Sequence, residues 1–129
     1  VMDMVLNSLE TKERINWAMT DKASGKMIGM IGYVKIMPDN ARGEVGYSLH
    51  HDYRRTGLMY EALQAVLDYG FREMKLNSIE AVIHPDNIAS WQLVEKAGFS
   101  RDAYFKDYNY HNNKFVDAVV YSLITPLKD

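Results

Sequence analysis

The sequence has no cysteine and only three prolines. The first absence removes disulfides, thiolate metal sites and a cysteine nucleophile together, and it fits a reducing compartment, so a cytoplasmic location is expected. Neither sign of charge prevails. Fifteen Lys and Arg face seventeen Asp and Glu, a net charge of -2, which argues against bulk electrostatic capture of nucleic acid. No apolar run approaches the roughly 18 residues needed to span a bilayer, and no signal-peptide pattern opens the chain. Neither nucleic acid nor a membrane is therefore expected as a partner. His50, His51, His84 and His111 are scattered without ligand spacing, and no carboxylate completes a set, so no metal site is expected. Repeats, low-complexity tracts and Pro/Gly/Ser linkers are also missing. The 129 residues thus read as one domain, long enough to bury a core. Val1 is not an initiator methionine, and the first segment enters without a cap or turn. The numbering is expected to begin inside a longer chain.

What is present falls into alternating periods. Residues 3–14, with Met4, Val5 and Leu9 among Glu10, Lys12, Glu13 and Arg14, read as a short helix or its tail. Residues 15–20 and 26–37 read as strands joined in a hairpin through Asp21–Gly25. Pro38, Asp39 and Asn40 make a turn, and Glu44–Leu49 is a third strand. Over 57–75 the period changes: Met59, Ala62, Leu63, Val66, Leu67, Gly70, Phe71 and Met74 recur at three- and four-residue steps, an amphipathic helix. Ile79–His84 is a strand that stops at Pro85. Residues 88–97 form a second helix, closed by Gly98 at a C′ position. Arg101–Tyr108 and Phe115–Leu123 are strands joined by a polar turn at His111, Asn112 and Asn113. The order β-β-β-α-β-α-β-β implies a mixed sheet with packed helices.

Chemistry concentrates in two stretches. In the first, a strand ends at Leu49 and His50, a short basic loop holds Arg54 and Arg55, and Gly57 opens the long helix. Backbone N–H groups at a helix N-terminus, with the helix dipole behind them, form an anion site, and glycine lets a phosphate approach the main chain. The plainer reading keeps Gly57 as a turn residue and the arginines as solvated surface. Neither the GxxxxGK[ST] loop nor the GxGxxG fingerprint is present. In the second stretch, His84–Phe99, Asn87 is a natural helix N-cap and Ser90 falls one turn later.

These stretches carry a resemblance. Arg54-Arg55-Thr56-Gly57-Leu58-Met59 is similar to the acetyl-CoA pyrophosphate motif [QR]-x-x-G-x-[GA] of the GNAT superfamily of N-acetyltransferases, with Met59 at the usually small last position. Asn87–Phe99 resembles N-x-x-S-x-x-[LV]-x-E-K-x-G-F of the ribosomal-protein N-terminal, or Rim-type, branch. Glu44–Leu49 resembles that branch's E-[IV]-G-Y-x-[IL], and Asp117–Leu123 fits its ending. The resemblance implies an α/β (α+β) fold: a mixed, mostly antiparallel central sheet with helices on both faces. It implies a single acetyl-CoA-dependent domain over 1–129 that lacks its first strand and helix.

It also implies direct transfer of acetyl from acetyl-CoA to a primary amine in a ternary complex, without an acyl-enzyme. The amine would be a protein N-terminus or a small molecule, and the protein a monomer or homodimer. On that resemblance Leu49 and His50 would line the pantetheine and thioester. Arg54, Arg55, Thr56, Gly57, Leu58, Met59 and Tyr60 would hold the phosphates. Asn87 and Ser90 would reach the pantetheine arm, with Ser90 relaying a proton to sulfur. Tyr104, then Tyr108, would be the tyrosines nearest that step. The position of the Rim-type base falls on Asn109, an amide that accepts no proton at neutral pH. Glu44 is the expected replacement, with Asp107 behind it, against the plainer reading of Glu44 as a solvated strand residue. Asn109 also leaves open a CoA-binding module without turnover. Tyr104, Phe105, Tyr108 and Tyr110 read as core and cross-strand pairs rather than a base-stacking platform, and a nucleic-acid-binding α/β domain is disfavoured by charge.

Overall fold

A computed structural model describes residues 4–10, 14–53 and 57–127. Strands β1 (Met4–Glu10), β2 (Ile15–Asp21), β3 (Met27–Met37) and β4 (Arg42–Leu49) form an antiparallel series. Helix α1 (Leu58–Arg72) crosses to β5 (Ser78–Ile83), which lies parallel to β4. Helix α2 (Ile88–Lys96) leads to the hairpin β6 (Ser100–His111) and β7 (Lys114–Ile124). The strands form one seven-stranded sheet in the order β1-β2-β3-β4-β5-β7-β6.

Two expectations are corrected here. Residues 4–10 pair with β2 along their whole length, Met4 opposite Asp21 and Glu10 opposite Ile15, so the segment expected to be helical is a strand. Its ladder partner supplies hydrogen bonds that a local pattern does not reveal. The expectation of helices on both faces is also corrected for the described residues. Gly70 of α1 packs against Ile79 of β5, and the Tyr121 hydroxyl of β7 donates to Glu95 of α2 at 2.6 Å. Ile79, Ala81 and Tyr121 share one face, because Ala81 stands opposite Tyr121 and strand side chains alternate. Both helices therefore cover that single face.

The core lies beneath α1. Met59, Ala62, Leu63, Val66, Leu67 and Phe71 are buried, as their spacing predicts, against Met19, Ile31, Tyr33, Val45 and Ile79. Tyr33 is fully buried, and its hydroxyl donates to the Val66 carbonyl at 2.6 Å, so the one polar atom it brings inside is satisfied. Gly70 exists to admit that ring: a Cβ there would run into Tyr33 Oη and stand 2.8 Å from its Cζ. Gly70→Ala is expected to lose about 2–3 kcal/mol by overpacking, and a companion Tyr33→Phe change should recover part of it. Chemical unfolding of the single and double variants measures this, and an unaltered midpoint in Gly70→Ala would show that the helix shifts freely.

Helix α2 is bounded as its sequence dictates. The Asn87 side chain accepts from the Ser90 N–H at 3.3 Å. At the other end Gly98 sits at φ +102°, the Gly98 N–H donates to Glu95 O and the Phe99 N–H to Val94 O, a Schellman closure.

Candidate active site

The site begins where the sheet splits. Strands β4 and β5 pair only through Arg42–Ser78, Gly43–Ile79 and Glu44–Glu80, although β4 runs on to Leu49 and β5 to Ile83. A bulge in β3 at Val34, where the register to β4 shifts between Tyr33 and Lys35, lies beside the last paired residues. Bulges increase strand twist, which turns β4 away from β5.

A groove of about 990 Å³ opens on the helix-bearing face of the split. Tyr47, Ser48 and Leu49 of β4 form its floor, Gly57, Met59 and Tyr60 its wall at the start of α1, and Asn87, Ser90 and Lys96 its wall along α2. Gly57 is the N-cap of α1 at φ +84°, a left-handed conformation that glycine adopts without penalty. Among the described residues, a Cβ at Gly57 would meet nothing within 4 Å, so they leave that position open toward the groove. The positive end of the α1 dipole faces the same space. Lys96 Nζ lies 4.2 Å from the centre of the Tyr60 ring, a cation–π contact that holds a second source of positive charge there.

Across the groove the Tyr47 hydroxyl is 2.6 Å from Ser90 Oγ and donates to the Ser90 carbonyl at 3.3 Å. Burial pushes the Tyr47 phenol above its ordinary value, and the Ser90 hydrogen bond opposes this. Tyr47 therefore remains protonated at neutral pH.

A second cavity, of about 410 Å³, is lined by Val34, Lys35, Glu44, Val82, Tyr108 and Asn109. Along β4, Gly43 and Val45 point to the α1 side, so alternation places Glu44 on the opposite face. The two cavities thus open on opposite faces beside the same split. Glu44 is half-buried, and that burial pushes its carboxyl above the ordinary range. The Lys35 charge opposes the shift, and the Glu80 charge adds to it.

The expected site residues divide accordingly. Leu49, Gly57, Met59, Tyr60, Asn87 and Ser90 come together in the groove, Leu58 begins α1 beside it, and Glu44 and Asn109 meet in the second cavity. Arg54, Arg55 and Thr56 lie outside the described residues. His50 is exposed, and its N–H donates to the Ile28 carbonyl at 2.7 Å; it does not line the groove. Tyr104 departs from its expected place near the Ser90 step. Its hydroxyl donates to Asp117 at 2.5 Å on the β6–β7 hairpin, and it lines neither cavity. Tyr47 was not singled out from its motif, and Gln92, Leu93 and Lys96 were missed altogether. A signal existed for the last three: Ala89, Gln92, Leu93 and Lys96 follow steps of three and four, one face of α2.

Residues 1–100 match the acetyltransferase (GNAT) domain family. The chain belongs to the GNAT acetyltransferase family. This GNAT chain is similar to the uncharacterised N-acetyltransferase p20 of Bacillus licheniformis, with 31% identity over 124 residues, covering 95% of this chain and 70% of that protein. Among solved structures it resembles the ribosomal-protein-S5-alanine acetyltransferase of Vibrio fischeri, at a TM-score of 0.84 and 30% identity over 88% of this chain and 62% of that one. In fold alone, at 14% identity, it resembles mutant forms of the spermidine/spermine N-acetyltransferase SpeG of Vibrio cholerae, with a TM-score of 0.85 over 95% and 94% of the two chains. The GNAT chain spans about two thirds of the length of the first two proteins.

Proposed function

We propose that this chain transfers the acetyl group of acetyl-CoA to a primary amine by direct attack in a ternary complex. The carrying observation is the split of the sheet at Glu44 and Glu80, which sets a groove on one face beside a carboxylate-bearing cavity on the other. A donor and an acceptor approaching from opposite faces meet at one gap, and holding them there removes most of the entropic barrier.

The residues of the groove fit the donor. The open Gly57 position and the first turn of α1 suit a diphosphate, with Arg54, Arg55 and Thr56 joining by motif and Lys96 by position. Strand alternation orients the thioester. The His50 N–H points to β3, so the Leu49 N–H points the other way, into the gap. There it stabilises the oxyanion that develops as the amine attacks. Ser90 Oγ supplies a proton to the departing thiolate, and Tyr47, 2.6 Å behind it, replenishes the proton. Glu44 takes the proton released by the attacking amine. The carboxylate replaces the function absent from Asn109, because both face the same cavity.

The greater identity to the S5-alanine enzyme than to SpeG supports a protein N-terminus as the acceptor. The test is thiol release from acetyl-CoA with alanine-initiated peptides and spermidine. Turnover on a peptide is expected, and Ser90→Ala should slow it roughly a hundredfold. Tight CoA binding without turnover on any amine would favour the binding-module reading.

A further inference from the structure

The hairpin of β6 and β7 is irregular at one place. Phe105 stands opposite Ala118 and Asn109 opposite Val116, so Lys106, Asp107 and Tyr108 face a single β7 residue, Asp117. We infer that Asp117 is a positioning residue for the acceptor site: its carboxylate clasps this bulge so that Tyr108 and Asn109 are delivered into the Glu44 cavity. The inference rests on the acetyl-transfer reading above and extends it to the segment that shapes the amine's surroundings.

Both carboxylate oxygens of Asp117 are engaged. One accepts the Asp107 N–H at 3.0 Å, from the middle of the bulge, and the other accepts the Tyr104 hydroxyl at 2.5 Å, from the strand before it. A backbone N–H that has lost its ladder partner to a bulge needs such a substitute acceptor. Asp107 is in the left-handed region at φ +49°, which an aspartate tolerates better than most residues but which still needs support from its neighbours. Phe105 and Tyr108 stack across the bulge, with centroids 5.0 Å apart and planes at 21°. Immediately beyond, β6 resumes its pairing at Asn109, and Tyr108 and Asn109 line the cavity with Glu44, Lys35, Val34 and Val82. If the pairing ran on regularly from Phe105, Asp107 and not Asn109 would stand opposite Val116, so every later β6 side chain would occupy a different position along β7 and the cavity would lose one wall. Tyr104 therefore acts through Asp117 and not upon the thiol. Asp117, part of a motif that the catalytic roles leave unused, gains one.

The test uses the full chain, an alanine-initiated peptide and acetyl-CoA. Asp117→Ala is expected to raise the peptide KM roughly tenfold or more, since small misplacements of positioning groups have large effects. Acetyl-CoA affinity should stay within about twofold, because the groove lies on the other face. Backbone amide resonances of Lys106–Asn109 should move and exchange faster. Asp117→Asn, which keeps an acceptor for the Asp107 N–H, should restore most of the KM, and a general structural defect would not show that split. An unchanged KM, or Tyr108 and Asn109 amides that keep their wild-type shifts in Asp117→Ala, overturns the inference. Wild-type protein that binds acetyl-CoA but acetylates neither this peptide nor spermidine refutes the transfer reading instead. The amide spectra then decide the clasp on their own.

Discussion

Gly57→Asp is expected to reduce CoA affinity more than any other single change in the groove. Glycine at this N-cap leaves an opening in which a Cβ would meet no atom of the described residues within 4 Å. The new side chain would therefore meet no steric obstacle among the described residues and would project toward the space that the proposed function gives to the diphosphate. A carboxylate at about 4 Å from a unit negative charge costs about 1 kcal/mol in water and about 4 kcal/mol at the effective dielectric of a protein surface. The expected loss is thus roughly fivefold to a thousandfold. The left-handed backbone adds a penalty of about 1–3 kcal/mol for any L side chain, borne by the folded state. Gly57→Ala separates the two effects, since it carries the backbone strain without the charge. Calorimetric titration with CoA should show Gly57→Asp well below Gly57→Ala. Equal affinities would mean that strain alone matters there and that no anion sits at the start of α1.

How much of this was legible in the sequence depends on whether the signal is local. The α1 pattern from Met59 to Phe71 marked the helix because its apolar residues repeat at the period of the structure they form. Asn87 and Gly98 marked the ends of α2 because capping is a matter of a few neighbouring residues. The motif around Gly57 located one wall of the groove for the same reason. What was not legible depends on distant partners. Met4–Glu10 took the strand form because β2 was available to pair with it. The face each helix covers follows from chain crossover, and amphipathic spacing does not encode it. Tyr104 lay at a plausible distance along the chain from the Ser90 stretch, yet Asp117 across the hairpin captured its hydroxyl. The bulges, one at Val34 and one at Lys106–Tyr108, are relations between two strands. They decide that the sheet splits beside Glu44 and that Asn109 shares its cavity, so the part of the candidate site to which the proposal gives the base was the part least visible residue by residue.

Glu44→Gln is the decisive change on that side. The amide preserves shape and polarity but accepts no proton. If Glu44 receives the proton of the attacking amine, kcat/KM should fall roughly a hundredfold to ten-thousandfold, with acetyl-CoA affinity unchanged because the groove lies on the opposite face. The pH profile carries a separate signature. Burial first, and the Glu80 charge after it, hold the Glu44 carboxyl above the ordinary range, with Lys35 opposing. A base with a raised value is disabled by protonation as pH falls through that value. The acidic limb of the wild-type profile should therefore lie above where an exposed glutamate would put it, and Glu44→Gln should lack that limb. An amine that arrives neutral needs less help, so the defect should shrink toward alkaline pH, above the roughly 7.7–8.0 at which a peptide amino group titrates. A solvated Glu44 predicts none of this: the variant would keep wild-type rates at every pH, and the ammonium proton would have to leave by another route.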